Sequence, residues 1–451
     1  MQHILVSAYG MKWQKRRYGG IYSENYKAAK EREAFTMQQW QNFQQEQLTK
    51  ILLHAYGQVP YYKSAFEQTG LDFSSIKNIS PETINSLPVL TKEDLRKHGT
   101  TTLLAQNREA NGEFFASSGS TGTPTQILFS HAMHQRWTAL FESRVRNWAG
   151  VDRNTPRGMI GGRRVLPAAA GRPPFHRYNI FEKQVYFSAY HINAANAAHY
   201  AKAIKDYGVE YMTGYAMSNY LLACFLYELK IKLPKLKCVI TSSEKLTDEM
   251  RSMFTKVYGC KTYDGWSGVE ACGLITECEY GSLHISPDAG FTELLDDNMQ
   301  PVQPGEAGNV YCTGFLNYDQ PLIRYDIGDT MILGENNCAC GRQMPVIKEI
   351  IGRQEDVVTG KDGRKMVRFH GIFNGLHSVK QAQVIQESFD EIVIKIVAAY
   401  KDDNEKEIMI KRVQSQLGDI RVQVEEVENI PQTANGKFKA VISKVRTGDT
   451  E

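Results

Sequence analysis

The chain has 451 residues, 42% hydrophobic and 23% charged, the balance of a folded protein long enough for a large domain plus a smaller one. Its 53 Lys and Arg against 50 Asp and Glu leave a net charge of only +3, which gives no reason to expect a nucleic acid or an anionic membrane surface as partner. The most apolar stretch, around Tyr220–Tyr227, falls far short of the ~20 residues of a membrane span. The first residues carry no secretory h-region, and eight cysteines are sparse for a disulfide scaffold. A cytoplasmic enzyme is the expectation.

In chain order, residues 1–110 read as mainly helical. Trp40, Phe43, Leu48, Ile51, Leu52 and Ala55 recur at helical spacing, which predicts a helix over Gln39–Tyr56 with one face on a core, ended by Pro60-Tyr61-Tyr62. Ser80-Pro81-Glu82 and Thr91-Lys92-Glu93 both have the pattern of a helix start, a small polar residue followed by acid. From 114 to 350 short β-rich runs such as KCVITSSEKL, GNVYCTGF and MILGE alternate with helical ones, which predicts an α/β architecture. After Gly352-Arg353 the texture changes. EIVIKIVAAY reads as a strand, NEKEIMIKRVQSQLG as an amphipathic helix closed by Gly418, and IRVQVEEVENI as a further strand. A compact C-terminal domain follows from these elements, with its boundary at GRQEDV.

The most informative stretch is Ser117-Ser118-Gly119-Ser120-Thr121-Gly122-Thr123-Pro124-Thr125. Glycines and small hydroxyl residues let backbone approach an anion closely and offer N–H and O–H donors to phosphate oxygens. No Gly-Lys-Ser/Thr completes a Walker loop, and a flexible Ser/Gly linker is the competing reading.

With its companions further along, this loop resembles the acyl-adenylate-forming superfamily, in particular its phenylacetate–CoA ligase-like and CapK-type branch. Thr241-Ser242-Ser243-Glu244 resembles the adenine-contacting turn, and Tyr263-Asp264-Gly265-Trp266-Ser267-Gly268-Val269-Glu270 the motif that brings an aromatic ring to adenine and a carboxylate to Mg²⁺. Pro321-Leu322-Ile323-Arg324-Tyr325-Asp326-Ile327-Gly328-Asp329 is similar to the ribose-binding motif, Ile351–Asp356 to the hinge with Arg353 toward the ribose, and Pro431–Lys437 to the terminal signature with the catalytic lysine. The middle stretches Gly161–Val165, Arg172–Asn179, Phe187–His191 and Gly214–Met217 resemble the CapK-type branch more narrowly.

The resemblance implies an α/β fold: a large multi-sheet adenylation domain over 1–352, then a small mobile α+β domain over 353–451. It also implies ATP and Mg²⁺ as cofactors. Residues 117–123 would hold phosphates. Ser243, Glu244, Asp264 and Trp266 would line the adenine side, with core packing the equal alternative for Trp266. Asp329 and Arg353 would face the ribose, and Glu270 and Lys437 would be catalytic. Thr123 stands where the family's loop has lysine, and Val269 replaces a threonine. Arg163 and Arg164 are candidates for an anionic group on the substrate, against an ion-paired surface alternative.

Cys338-Ala-Cys340 puts two thiolates on a tight turn, and Cys278 with His284 supplies a second pair, a Cys₃His set suited to structural Zn²⁺. Members of the resembling branch carry similar elements. The expected activity is ATP-dependent activation of a small carboxylate, with the acyl group passed to CoA, a carrier-protein thiol or another acceptor. An adenylyltransferase acting on a hydroxyl or phosphate, and a catalytically weakened nucleotide-binding partner, are the alternatives; a homodimer is left open. At Val358–Met366 an Asp-Gly hairpin signal with Lys361, Arg364 and Lys365 replaces the turn that CoA ligases present to the pantetheine thiol, so free CoA is expected to be a poor acceptor.

Overall fold

The computed structural model describes residues 2–116, 124–161, 165–166, 172–244, 246–351, 358–360, 364–366, 370–373, 376, 378–398, 400–428, 430 and 441–445. The chain divides into two compact units. The first comprises Met1–Phe115, Gln126–Leu166 and Arg172–Gly352; the second comprises Ala116–Thr125, Pro167–Gly171 and Arg353–Glu451.

The first unit opens with helices Gln2–Tyr18, Tyr22–Arg32 and Met37–Gln58. The third starts on a capping box, Thr36 accepting from the Gln39 amide and the Gln39 side chain from the Thr36 amide. Its buried face is Trp40, Leu48, Ile51, Leu52 and Ala55, with Phe43 half-buried, as the spacing predicts. Pro60 does more than end it. Val59 turns extended, and Pro60 occupies the first position of a new helix, Pro60–Gln68, where its missing N–H costs nothing. Thr91 caps Lys92–His98 with a capping box as expected. Ser80-Pro81-Glu82 does not start an α-helix: the segment makes turns and a short 3₁₀ piece, Ile84–Ser86, because Ser80 bonds Thr83 and Glu82 within the turn.

A two-stranded ribbon, β1 (Glu113–Ala116) and β2 (Gln126–Phe129), comes next. Twelve strands then form one sheet: β3 (Arg157–Gly161), β4 (His176–Asn179), β5 (Gln184–Ser188), β6 (Tyr211–Tyr215), β7 (Cys238–Ser242), β8 (Lys261–Ser267), β9 (Leu274–Glu277), β10 (Leu283–Ile285), β11 (Gly290–Leu295), β12 (Ala307–Gly314), β13 (Tyr325–Leu333) and β14 (Val346–Ile350). Their order is β11-β12-β13-β14-β10-β9-β8-β7-β6-β3-β5-β4. The run β5-β3-β6-β7-β8 is parallel, joined through helices Ala197–Asp206, Ala216–Glu228 and Asp248–Tyr258. From β8 outward to β11 every pair is antiparallel. The chain leaves β3 toward β5 on one side while β6 lies on the other. In open α/β sheets the crevice beyond the carboxyl ends at such a reversal is where ligands bind.

In the second unit β15 (Val358–Thr359) pairs antiparallel with β16 (Lys365–Met366), flanking the Asp362-Gly363 signal, which itself lies outside the described residues. A four-stranded sheet, β17 (Val379–Ser388), β18 (Glu391–Ala398), β19 (Arg421–Glu426) and β20 (Val441–Ser443), runs in the order β19-β18-β17-β20. Val384, Ile392, Ile394 and Ile396 of this sheet share a core with Met409, Val413 and Leu417 of the helix Asp403–Leu417. Among the described residues no helix is long and apolar enough to cross a membrane.

Candidate functional site

The parallel strands put Gly214, Thr241 and Asp264 side by side on β6, β7 and β8, so the turns after these strands share one edge of the sheet. Asp264 is half-buried there. Its Oδ1 accepts from the Gly265 amide at 2.9 Å and from Thr241 Oγ1 at 3.4 Å. Burial pushes its carboxyl up to about 7, with the charge of Glu277 adding to the rise and Arg251 opposing it. Glu277 in turn accepts the Asp264 amide at 2.8 Å and is forked by Arg251 at 3.1 and 2.7 Å. Ser243 holds a left-handed backbone, φ 73°, in the turn after β7, and Glu244 beside it is half-buried.

Glu270 lies in the turn after β8 and is 8% exposed. A Cβ at Gly268 would stand 2.3 Å from Glu270 Oε2, so a larger residue there would displace the carboxylate. Trp266 belongs to the main hydrophobic core, with Ile275, Cys272 and Tyr325, and its indole N–H donates to Asp329 Oδ2 at 2.8 Å. Two stretches 63 residues apart in sequence thus meet through one hydrogen bond between β8 and β13. Arg324, in the same motif as Asp329, is 2% exposed and turned away from solvent chemistry. It forks Glu293 at 3.0 and 2.9 Å and donates to the carbonyls of Asn85 and Leu87. The middle stretches also converge: Ser188 Oγ lies 2.7 Å from His191 Nδ1, and Phe175 stacks on that imidazole at 5.0 Å.

At the end of β9, away from this edge, Cys278, His284, Cys338 and Cys340 place one ligand atom each within 4.8 Å of one another. Cys278 Sγ lies 3.6 Å from Cys338 Sγ, and Cys340 Sγ 3.4 Å from His284 Nε2. A tetrahedral ion with Zn–S bonds of about 2.3 Å sets its ligand atoms roughly 3.5–3.8 Å apart, so the set fits zinc. His284 Nδ1–H donates to the Met344 carbonyl at 3.2 Å, which turns Nε2 toward the thiols, and burial lowers the imidazole's pKa, favouring the neutral, ligating form. Amides of Tyr280 and Cys340 donate to Cys278 and Cys338 sulfurs at 3.4 Å. Trp148 meets His284 edge-on at 5.9 Å, Arg342 lies over Trp148 at 4.3 Å, and Glu33 accepts from the Trp148 indole at 3.2 Å.

Residues 358–444 match the model of the CapK C-terminal domain. The chain is 27% identical to protein CapK of Staphylococcus aureus over 464 residues, covering 99% of this chain and 97% of that one. It is 24% identical to phenylacetate-coenzyme A ligase of Thermus thermophilus over 70% of each chain. Its fold is similar to a 2-hydroxyisobutyryl-CoA ligase solved with 2-HIB-AMP and CoA, with a TM-score of 0.60 at 20% identity over 91% of each chain. The chain is thus similar, over nearly its whole length, to the phenylacetate–CoA ligase-like, CapK-type branch of the acyl-adenylate-forming ligases.

Of the residues that this branch's motifs single out, the structure puts Asp264 and Trp266 on β8, Glu270 in the turn after it and Asp329 on β13, with Ser243 and Glu244 on the neighbouring turn. Residues 117–123, Arg163, Arg164, Arg353 and Lys437 lie outside the described residues. The branch motifs include Thr241 but not Arg251 or Glu277, and no local pattern would have found these two. They are ordinary polar positions until β7, β8 and β9 align.

Proposed function

We propose that the protein uses ATP to activate a small carboxylate as an acyl-adenylate and then passes the acyl group to a thiol or another nucleophile. The observation that carries this reading is the Trp266–Asp329 hydrogen bond, which joins two of the branch's nucleotide motifs beside Glu270 at the carboxyl edge of the parallel strands. In the first step a substrate carboxylate oxygen bonds to the α-phosphorus of ATP, the bond to the β-phosphate oxygen breaks, and pyrophosphate leaves. In the second an acceptor nucleophile bonds to the acyl carbon and AMP leaves. The barrier of the first step is mostly repulsion between negative oxygens, so positive charge and positioning lower it.

Glu270 supplies the carboxylate that would hold Mg²⁺, an ion that takes one or two protein carboxylates and neutralises phosphate oxygens when bound. Asp329, with one oxygen already fixed by Trp266, would accept from the ribose. Ser117–Thr123 would donate to the phosphates, and Lys437, on a mobile domain of residues 353–451, would bridge the incoming carboxylate and the α-phosphate. Zinc at Cys278, His284, Cys338 and Cys340 would be structural, since four protein ligands leave no open position. The acceptor is read as a carrier-protein thiol, an amine or a sugar-linked group rather than free CoA, on the replacement of the CoA ligases' turn at 358–366.

The test is to mix the protein with ATP, Mg²⁺, hydroxylamine and a panel of acids. Acid-dependent hydroxamate is the expected result. AMP adducts without hydroxamate would instead indicate adenylyl transfer to a hydroxyl or phosphate, and ATP binding without turnover a nucleotide-binding partner. With the cognate acid known, rapid stoichiometric thioester formation from CoA would overturn the acceptor assignment.

A further inference from the structure

The four side chains of the Cys₃His set are not equally sheltered. Cys278 and His284 are buried, whereas Cys338 and Cys340 are half-buried, so solvent and competing ligands reach the centre from the Cys338–Cys340 turn. Three thiolates and a neutral imidazole around a divalent ion also leave the centre one charge negative. Such a centre holds its ion better where donors aim at its thiolates. Backbone amides do this for Cys278 and Cys338. For Cys340 a side chain does it: the Arg342 guanidinium hydrogen-bonds the thiol.

The turn itself brings Arg342 back over the ligands. Gly341 takes φ 77°, a left-handed backbone that glycine adopts without strain, and its amide donates to the Cys338 carbonyl at 3.2 Å. The guanidinium is then held from several sides. Nη1 pairs with the Glu279 carboxylate at 2.8 Å, Nε lies 3.6 Å from Glu33 Oε2, and Cζ stands 4.3 Å from the centre of the Trp148 ring. Trp148 is the ring that meets His284 edge-on, and its indole N–H donates to the same Glu33 oxygen at 3.2 Å. Glu33 is fixed in turn by the buried Arg144 at 3.0 Å. Arg342 therefore bonds one ligand and backs the ring that packs on a second. Its side chain is 15% exposed, so its charge is screened little, whereas that of Glu279, 42% exposed, is weakened by water.

We propose that Arg342 is a positioning residue for the metal: it covers the Cys340 thiolate and the Trp148–His284 contact, and so sets how tightly the centre holds zinc and how slowly it gives the ion up. This rests on the reading of Cys278, His284, Cys338 and Cys340 as a zinc set. Arg342 would not touch the ion. Its positive charge offsets the excess negative charge of the ligands, and its N–H withdraws electron density from the Cys340 sulfur.

The experiment uses the full chain loaded with Zn²⁺ or, as a coloured substitute, Co²⁺, and its Arg342→Met and Arg342→Lys variants. It measures metal affinity, the rate of transfer to a competing chelator, and the thiolate-to-cobalt absorption band. Arg342→Met is expected to weaken zinc binding roughly ten- to hundredfold, the range for losing an outer hydrogen bond to a ligand, and to speed transfer by a similar factor. The cobalt band should move to longer wavelength as the sulfur regains electron density. Arg342→Lys keeps the charge without the planar fork and should fall between the two. It also keeps most of the side chain's length, so its band and transfer rate decide where Arg342→Met does not fold. A variant that loses stability yet holds zinc as the wild type does, with the wild-type cobalt band, would overturn the proposal. A wild-type chain that takes up neither ion would remove the zinc set itself, a different outcome seen without any variant.

Discussion

The two ends of the β8–β9 hairpin are built to opposite specifications. From the middle of β8 to the turn beyond it stand carboxylates: Asp264, Glu270 and, from β13, Asp329. Desolvation of the Asp264 carboxyl outweighs its two hydrogen bonds, so it holds a proton up to about 7. At the far end, directly after β9, four soft ligands converge inside a shell of Trp40, Trp148, Met344 and Phe35. There the ligand atoms are held by their neighbours: amides donate to sulfur, a carbonyl receives the imidazole, and Arg342 is paired with Glu279 at 2.8 Å. One end is enclosed by apolar rings, as a structural centre is. The other gathers three carboxylates, one of them bound to the Trp266 indole.

Breaking the closed end should have the largest effect. Cys340→Ser is expected to lose about one equivalent of zinc and several kcal/mol of stability, because Trp148, Arg342 and Glu33 lean on the cluster. Metal analysis of protein purified without added metal, with thermal unfolding, checks it. Folded wild-type protein that carries only traces of zinc would reject the site. Lys437→Ala addresses the chemical step instead. Adenylate formation should fall by at least about a hundredfold, the cost of one preorganised charge contact, while ATP still binds and zinc content is unchanged. Pyrophosphate release near the wild-type rate would sink the assignment.

Asp264→Asn sharpens the contrast through pH. The folded carboxyl titrates near 7 and the unfolded one near 3.8, so the folded state holds the extra proton between these values. Stability is therefore lost as pH rises from about 4 to about 7 and stays lost above. The amide never ionises. The variant should match the wild type near pH 4 and exceed it at pH 8, by on the order of 2 kcal/mol. Denaturant midpoints at pH 4, 6 and 8 decide it; a gap that does not widen with pH would show that Asp264 ionises freely.

The two ends also differ in how much of them the sequence reveals. Cysteine and histidine spacing pointed to the metal set, because few residue types ligate zinc and all four lie close to glycine-bearing turns. The helix from Met37, the cap at Thr91 and the strands of both units follow from periodicity and local bonding in the same way. The carboxylates were legible only through resemblance, and their supports were not legible at all. Arg251 forking Glu277 and Arg324 forking Glu293 each join elements distant in the chain, and no local pattern encodes such pairing. Pro60 misled for a related reason: the residue that stops one helix is equally fit to begin the next.

Trp266 gives the finest test, because its two expected roles predict different specificities. Were the indole an adenine platform, Phe would keep much of the stacking, and every adenine nucleotide would lose a similar, small amount of affinity. The structure instead buries the ring in the core and aims its N–H at Asp329. Trp266→Phe keeps the packing and removes that donor, so the carboxylate loses a contact that orients it toward the ribose. The expected result is a drop of roughly three- to tenfold in affinity for ATP, the size of one hydrogen bond to a charged group, with little change for 2′-deoxy- and 3′-deoxy-ATP, which offer Asp329 less to hold. Binding titrations of the three nucleotides to both proteins measure this. Parallel losses for all three would return Trp266 to the adenine, and no loss for any would leave it a core residue alone.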